Sequence, residues 1–291
     1  MKKIAVASGK GGTGKTTVAV NLFHQIANDH TAKVELVDCD VEEPNDHLFF
    51  EGLEVRKEKQ ATQLIPTIDN DKCTYCRKCA EWCEFNAIVV IPPAKFAEVN
   101  PSLCHSCGAC IVACEHGAIS ENPEEIGVMR TCNTGNNGIL TDGSLKIGSA
   151  MQTMLIKQVK EQVSDDNEVV IFDAPPGTSC PVVETVSDSD YVILVTEPTP
   201  FGLHDLKLTV ELLKEINKPF GVVVNKAGLG DRKVYDYLEE EQIEMLGEIP
   251  FQLDYASLYA KGELLKHIPE DVEPVYRAIA EKVLNSNNAH S

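Results

Sequence analysis

Eight of the eleven cysteines in this 291-residue chain fall within one short stretch and repeat one spacing. Residues 71–88 (DKCTYCRKCAEWCEFNAI) align with residues 102–119 (SLCHSCGACIVACEHGAI), 31 positions later, and each copy reads C-x2-C-x2-C-x3-C. Cytosolic thiols are kept reduced, and the N-terminus gives no secretion signal. The spacing therefore predicts metal ligands rather than disulfides.

The same spacing occurs in bacterial ferredoxins and predicts two 4Fe-4S clusters. Three closely spaced thiolates hold one face of a cubane, and the fourth cysteine of each run binds the other cluster. The predicted ligand sets are Cys73, Cys76, Cys79 with Cys114, and Cys104, Cys107, Cys110 with Cys83. Tetrahedral zinc is the alternative, because C-x2-C pairs also suit that ion.

Two glutamates depart from the ferredoxin pattern, which has a proline after the fourth cysteine. Glu84 and Glu115 stand in those positions. A carboxylate close to a cluster opposes its more negative reduced state. We expect both glutamates to lower the cluster potentials, and voltammetry on Glu84→Pro and Glu115→Pro variants tests this expectation.

A glycine-rich segment near the N-terminus has the pattern of a phosphate-binding loop. The apolar run Ile4–Ala7 leads into GKGGTGKT, which satisfies G-x-x-x-x-G-K-[ST], and a helical pattern follows over Thr17–Ala27. In such a loop backbone N–H groups converge on phosphate oxygens, the lysine reaches the β and γ phosphates, and the last hydroxyl binds Mg²⁺. The residues expected to hold the nucleotide are Gly9, Gly11, Gly12, Thr13, Gly14, Lys15, Thr16 and Thr17, with Thr16 on the metal.

A second lysine in this loop, Lys10, makes the sequence resemble the deviant Walker A family, which includes MinD, ParA, the Mrp ATPases and the nitrogenase iron protein. In that family this lysine reaches across a homodimer to the phosphates of the partner's ATP. The resemblance implies ATP hydrolysis with Lys10 and Lys15 as catalytic residues. It also implies a dimer that forms with ATP, made of two copies of this chain or of this chain and a related ATPase.

Further residues occur in the order of that family and take its roles by resemblance. Asp38 and Asp40 close the second strand at switch I, where the second acid polarises the attacking water. Asp173 closes another strand and acts on the Mg²⁺ shell, before a Pro-Pro-Gly turn at switch II. The residues that resemble those beside the γ-phosphate, the adenine and the purine edge are Gly177, Asn225 and Pro250.

Three cysteines lie outside the two runs. Cys39 is interpreted as a small buried residue. Cys180 follows switch II at an offset similar to that of a cluster-ligating cysteine in the nitrogenase iron protein. A cluster that bridged two copies of Cys180 would need two more thiolates, for which Cys132 is the available donor. A structural Cys180 is the preferred interpretation, and iron counting on a Cys180→Ala variant decides between the two.

The segments around the cysteine block predict an α/β fold. Apolar, β-branched runs with little alternation, typical of strands buried on both faces of a parallel sheet, are followed by helical patterns. These runs are Ile4–Ala7, Val34–Val37, Val169–Phe172, Tyr191–Val195 and Phe220–Val224. We expect a P-loop ATPase domain with a mostly parallel sheet flanked by helices at residues 1–60 and 120–291. A small α+β ferredoxin-like domain is expected as an insertion at residues 61–119.

Net charge and hydropathy limit the classes of partner that we expect this protein to bind. The formal net charge is −19, which disfavours nucleic acid, because binding to the phosphate backbone takes clustered lysine and arginine. No apolar run approaches the ~18 residues that a membrane-spanning helix needs. We therefore expect a cytoplasmic protein that binds neither nucleic acid nor a membrane.

Two hypotheses on function combine these features. In the first, ATP binding and hydrolysis switch a dimer between states while the two clusters exchange electrons with an unidentified redox protein. In the second, the chain is an assembly or carrier ATPase that delivers clusters or metal, as its Mrp relatives do. The first is preferred because ferredoxin-type thiolates hold clusters firmly. A spatial organiser like MinD or ParA is a third hypothesis, which the acidic charge disfavours.

Overall fold

The computed structural model describes residues 1–29, 32–135 and 138–286. The strands are β1 (Lys2–Ala7), β2 (Val34–Asp38), β3 (Glu54–Ile68), β4 (Ile88–Ile91), β5 (Phe96–Val99), β6 (Ile119–Asn133), β7 (Gly138–Leu145), β8 (Val169–Asp173), β9 (Tyr191–Thr196), β10 (Phe220–Ala227) and β11 (Met245–Pro250). The α-helices are α1 (Lys15–Asp29), α2 (Lys78–Glu81), α3 (Ala109–Ala113), α4 (Gln152–Lys160), α5 (Cys180–Ser187), α6 (Pro200–Glu215), α7 (Lys233–Glu240), α8 (Leu253–Ala260) and α9 (Glu273–Asn285). Short 3-10 turns occur at Asp46–Phe49, Pro92–Ala94 and Pro101–Leu103.

The chain forms two compact units. The first comprises Met1–Lys59, Met129–Ser144 and Leu155–Ser291, and the second comprises Gln60–Val128 and Leu145–Met154. The second unit contains all eight cysteines of the two runs. It extends beyond the insertion expected at residues 61–119, because β6 and β7 each contribute residues to both units.

The large sheet has the strand order β11-β10-β9-β1-β8-β2-β7-β6-β3. Every pairing from β11 through β7 is parallel. The predicted α/β fold with a mostly parallel sheet is confirmed, and each of the five apolar runs forms a strand of this sheet. A separate antiparallel pair, β4 and β5, follows the first cysteine run.

Burial explains why these segments form strands and helices. β2, β8 and β9 are buried along their whole length. The sequences of β8 and β9 are almost entirely apolar, whereas β2 also buries Glu35, which accepts hydrogen bonds from Thr141 and Asn167. On α1, Val18, Leu22 and Ile26 recur every fourth residue and enter one hydrophobic core. Tyr276 and Ile279 of α9 belong to the same core. Among the described helices, none has both the length and the apolar content to cross a lipid bilayer.

The sheet aligns acidic residues at one edge. In the parallel register Asp38 pairs with Asp173 on one side and with Asp142 on the other. Neighbouring strands lie about 4.8 Å apart, so three aspartates stand side by side, at the last residues of β8 and β2 and within β7. Ligands of open α/β sheets bind at this end of the strands.

Candidate functional site

The cysteines of the second unit form two groups, and each group draws on both runs. A cavity is lined by Cys73, Cys76, Cys79 and Cys114. The other three cysteines of the second run are neighbours of one another, and Cys83 adjoins Cys104. The structure thus brings together the two sets expected from the spacing.

The sequence repeat is also a repeat of backbone conformation. Backbone N–H groups donate to cysteine sulfurs at equivalent places in the two copies, with N···S distances of 3.3 to 3.4 Å. These pairs are Tyr75 to Cys73, Ser106 to Cys104, Ala87 to Cys83 and Ala118 to Cys114. The same turns carry positive φ at Tyr75 and Ser106, Arg77 and Gly108, and Asn86 and Gly117. Hydrogen bonds to cluster sulfurs are one of the ways in which proteins set a cluster's reduction potential.

Burial shapes the chemistry of these thiols. Burial raises the pKa of Cys110 to about 11 and is also the main cause that raises the pKa of Cys79 and Cys104. Neighbouring cysteines add to each shift, because one thiolate opposes the ionisation of the next. Such thiols bind a metal only with loss of a proton, so metal binding here would release protons.

The first cysteine group supplies the four thiols that a cubane needs. Within the described ranges, no three His, Cys, Asp or Glu side chains surround a point that one metal ion could occupy. A cubane has different requirements, because each thiolate binds a different iron atom of the cluster. Four thiols from both runs around one cavity meet those requirements.

The two cysteine groups differ in charge. Arg77, Lys78 and His116 line the cavity of the first group. Lys78 also forms an ion pair of 2.6 Å with Glu115. Glu84, the counterpart of Glu115, is exposed and has no ion pair in the part of the chain that the structure describes. The two glutamates expected to act alike are therefore in different environments.

The remaining cysteines lie in the first unit. Cys39 is fully buried, which confirms its interpretation as a small core residue. Cys180 is exposed at the first position of α5, and Cys132 is buried on β6. A cluster that bridged two chains through Cys180 would need its other thiolates at the protein surface. The buried Cys132 does not provide one.

The glycine-rich loop joins β1 to α1 in the first unit. Gly12 and Gly14 have φ of 78° and 95°, a left-handed conformation that glycine adopts readily. A Cβ at Gly14 would collide with the Asn225 amide. That amide donates to the carbonyl oxygen of Thr13 at 2.7 Å. Asn225, expected to read adenine, braces the loop in this structure.

The other predicted nucleotide residues surround this loop. The backbone N–H of Gly177, where φ is 100°, donates to the carbonyl oxygen of Ser8 at 3.0 Å. Pro250 ends β11 and pairs in register with Ala227 of β10. Gly9, Gly11 and Gly12 form the first part of the loop, and Thr17 lies in the first turn of α1. The N-terminus of this 15-residue helix presents unpaired N–H groups, which suit phosphate oxygens.

The metal side of the site centres on Asp173 at the end of β8. The Thr16 hydroxyl donates to Asp173 Oδ2 at 2.7 Å. Burial raises the pKa of Asp173 to about 6, although Lys15 favours its ionised form. Burial also raises the pKa of Asp40, whereas the charge of Lys15 acts to lower it. These contacts bring Lys15, Thr16, Asp40 and Asp173 together as the sequence led us to expect.

Asp38 has a different setting from its switch I partner. Its carboxylate accepts three backbone N–H groups, from Asp40 at 3.0 Å, Asn45 at 2.8 Å and Asp46 at 3.1 Å. Burial and the charge of Asp173 nevertheless raise its pKa. Asp38 therefore holds the chain segment 40–46 in place, which includes Asp40.

Lys10 is held within its own chain. Its Nζ lies 2.7 Å from Glu197 Oε1, just beyond β9. Lys226 Nζ contacts Glu197 Oε2 at 3.1 Å and donates to the Gly12 carbonyl oxygen at 2.7 Å. Burial opposes ionisation of Glu197, but the hydrogen bonds from both lysines outweigh it and lower the pKa. One carboxylate thus fixes two lysines beside the glycine-rich loop.

A family model described as the CobQ/CobB/MinD/ParA nucleotide binding domain matches residues 4–265. The chain belongs to this family. An uncharacterized protein of Methanocaldococcus jannaschii, MJ0578, is 31% identical over 284 residues, which are 96% of this chain and 96% of that protein. An iron-sulfur cluster carrier protein of Pyrococcus abyssi is 27% identical over 97% of this chain and 85% of its own length.

Solved structures agree with the family assignment at the level of the fold. The septum site-determining protein MinD of Pyrococcus horikoshii, solved in complex with Mg-ADP, superposes with a TM-score of 0.59. The two chains are 18% identical, and the match covers 100% of this chain and 99% of that one. Nucleotide binding of the MinD/ParA type accounts for two unsatisfied atoms beside the loop. Thr13 Oγ1 and Asp173 Oδ1 are buried and have no hydrogen-bond partner within the described residues.

Sequence reasoning missed two residues of this site. Glu197 comes directly after β9, and Asp38 and Asp173 are the last residues of their strands. The same signal, an acid at the end of a strand, was therefore available for Glu197. Asp46 gives no such signal, because it lies in a polar segment and becomes buried only through the 3-10 turn that it begins.

Proposed function

We propose that this protein binds and hydrolyses MgATP in its first unit and holds two 4Fe-4S clusters in its second. One observation carries the cluster assignment. Cys114 lines the same cavity as Cys73, Cys76 and Cys79. Such an exchange of the fourth ligand between runs is the pattern of a two-cluster ferredoxin.

The nucleotide part of the proposal follows from the loop and its neighbours. Lys15 would bind the β and γ phosphates, Thr16 would coordinate Mg²⁺, and Asp173 would hold the metal through its shell. Asp40 would polarise the attacking water. A bound Mg²⁺ supplies charge neutralisation for phosphoryl transfer.

The dimer is the third part of the proposal. Lys10 is the residue that would reach the partner chain's ATP, in a dimer of two copies or with a related ATPase. In this cytoplasmic protein, nucleotide-driven switching of the dimer would be coupled to electron exchange between the clusters and a separate redox protein. Coupling requires ATP to bind the two states with different affinity.

Paired cysteine variants test the ligand sets. Cys73→Ser and Cys114→Ser should each remove the same cluster, so the double variant should lose no more iron than either single variant. The matched control is Cys73→Ser with Cys104→Ser, which should lose both clusters. If the Cys73/Cys114 pair lost iron from both clusters, the proposed exchange of ligands would be wrong.

Coupling is tested by redox titration with nucleotide. We expect the potential of at least one cluster to differ between protein without nucleotide, with ADP and with ATP, each with Mg²⁺. Lys15→Ala, which should not hold the phosphates, is the control and should show no nucleotide effect. Equal potentials in all three conditions for the unsubstituted protein, with unchanged electron-transfer rates, would contradict coupling.

A second candidate function is delivery of clusters to other proteins. It is favoured by the similarity over 97% of this chain to a protein named iron-sulfur cluster carrier protein. Cys76 and Cys107, one in each group, are also exposed to solvent. A carrier would transfer its iron and sulfide to an apo-ferredoxin, and the rate would respond to ATP. An electron-transfer protein would retain its clusters in the same assay.

A further inference from the structure

Asp46 is a fully buried carboxyl group that contacts a second buried carboxyl group, that of Asp173. Its side chain has an exposed fraction of 0%, and within the described residues no N–H or hydroxyl group donates to either of its carboxyl oxygens. Its backbone N–H donates to Asp38 Oδ2 at 3.1 Å, which fixes the residue at the start of its 3-10 turn.

The side chain of Asp46 is directed at the metal side of the nucleotide site. It lies within hydrogen-bonding reach of Asp173, whose Oδ1 is buried and receives no N–H or hydroxyl group from the residues described. Asp173 Oδ2 already accepts the Thr16 hydroxyl. The Asp46 and Asp173 side chains can bond to each other only while one of them holds a proton, because two ionised carboxylates only accept hydrogen bonds.

Asp46 and Asp38 differ in the hydrogen bonds that their carboxyl groups accept. Asp38 is equally buried but accepts three backbone N–H groups. Asp46 has no comparable donor, and a buried charge without a partner is strongly unfavourable. A cation or the water molecules bound to it would supply the missing partners.

We propose that Asp46 is a positioning residue for the Mg²⁺ that accompanies the nucleotide, acting through Asp173 and the water molecules of the metal. The inference rests on the proposed binding of MgATP. Mg²⁺ dehydrates reluctantly and keeps several of its waters in protein sites, so an outer carboxylate has waters to receive. Because Asp46 is joined through Asp38 to the segment that carries Asp40, binding of the metal also fixes that segment.

The test compares Asp46→Asn with the unsubstituted protein in two measurements. The first is the Mg²⁺ concentration that gives half-saturation of ADP binding, measured by calorimetry. We expect this concentration to rise about tenfold or more, in the range known for residues that support metal ligands. The second is the melting temperature without nucleotide or Mg²⁺. We expect it to rise, because the amide gives Asp173 a donor that needs no shared proton.

Asp142→Asn is the matched control. Asp142 is another buried aspartate at the same sheet edge, but Arg130 binds it through two hydrogen bonds of 3.0 and 2.9 Å. Its variant should melt at a lower temperature, because Arg130 loses its partner, and should keep the Mg²⁺ requirement of the unsubstituted protein.

A failure of the proposed MgATP binding and a failure of the positioning role of Asp46 give different results. If the unsubstituted protein does not bind ADP with Mg²⁺, the proposed function fails. If it does, and Asp46→Asn shows the same half-saturating Mg²⁺ concentration, a positioning role is overturned. If Asp46→Asn does not fold, the unsubstituted protein still decides: without nucleotide, Mg²⁺ should raise its melting temperature more than NaCl of equal ionic strength, and equal effects would overturn the inference.

Discussion

Lys78 and Glu115 form an ion pair beside the cavity that Cys114 lines. Glu84, which follows Cys83, has no ion pair among the residues that the structure describes. The sequence alone suggests that both glutamates lower a cluster potential. The ion pair changes that expectation, because a carboxylate close to a cation exerts a weaker field at longer range. At the scale of single residues, the two proposed clusters are therefore unequal.

The first prediction concerns that inequality. Glu84→Gln should raise the potential of the cluster bound by Cys104, Cys107, Cys110 and Cys83 by on the order of 20 mV at low salt. This shift corresponds to about 0.5 kcal/mol for one charge at roughly 8 Å in a water-like medium. Replacing both members of the ion pair, in Lys78→Gln/Glu115→Gln, should change the other potential less, because two opposite charges 2.6 Å apart largely cancel at longer range. Protein-film voltammetry measures both potentials, and a larger shift for the double variant would contradict this expectation.

The second prediction concerns Asp173. Burial raises its pKa to about 6 from an ordinary value of 3.8, so the folded protein binds a proton that the unfolded chain has released between these values. Stability without nucleotide should therefore fall as pH rises from about 4 to about 6, by at most ~3 kcal/mol over the full range of the shift. Asp173→Asn should flatten this dependence of the melting temperature, and Asp254→Asn on the surface of α8 should not. A steeper fall in Asp173→Asn would refute the assignment.

Residue types and spacing predict some of these roles and not others. The cysteine sets and the glycine-rich loop are local patterns, because chain spacing by itself limits which groups can meet. The burial of Asp46 and the pairing of Glu197 with Lys10 depend on segments far apart in the chain. Contacts of that kind arise from packing, which a local pattern does not contain.

Among the secondary-structure elements, the end of β9 fixes the position of Lys10 through the residue that follows it. Glu197 holds this lysine and Lys226 beside the loop. In the proposed dimer, Lys10 would reach the nucleotide of the partner chain. The ion pair would then have to open before the dimer could form, so the end of the strand would act as a restraint on dimerisation.

The third prediction follows from that restraint. Glu197→Gln should strengthen dimerisation with ATP on the order of fivefold, which corresponds to ~1 kcal/mol for a charged hydrogen bond that no longer has to break. Analytical ultracentrifugation with ATP and Mg²⁺ measures it, and Glu240→Gln on the exposed face of α7 is the control. Weaker dimerisation of Glu197→Gln would instead mean that Glu197 orients Lys10 for the partner.

The elements also show where sequence patterns are informative. The buried parallel strands were predictable, because apolar residues on both faces leave one interpretation of the sequence. β3 was not, since its first seven residues are exposed and five of them are charged. β6 contains a proline and several acids, and its antiparallel pairing with β7 depends on partners such as Thr134 with Gly138. Polar strands of this kind are specified by their neighbours in the sheet.

At the scale of the whole molecule, one chain combines a nucleotide-binding unit of the MinD/ParA type with a unit that carries eight cysteines in two matched groups. Strands β3, β6 and β7 each run from one unit into the other. Because one chain carries both units, nucleotide-dependent redox behaviour is a property to test on the full chain.

Metal and sulfide analysis of the full chain, purified without oxygen, tests the central claim most directly. We expect about eight iron and eight acid-labile sulfide per chain, which is the content of two 4Fe-4S clusters. We also expect the EPR signals of such clusters after reduction. Zinc in place of iron, or iron without sulfide, would contradict it.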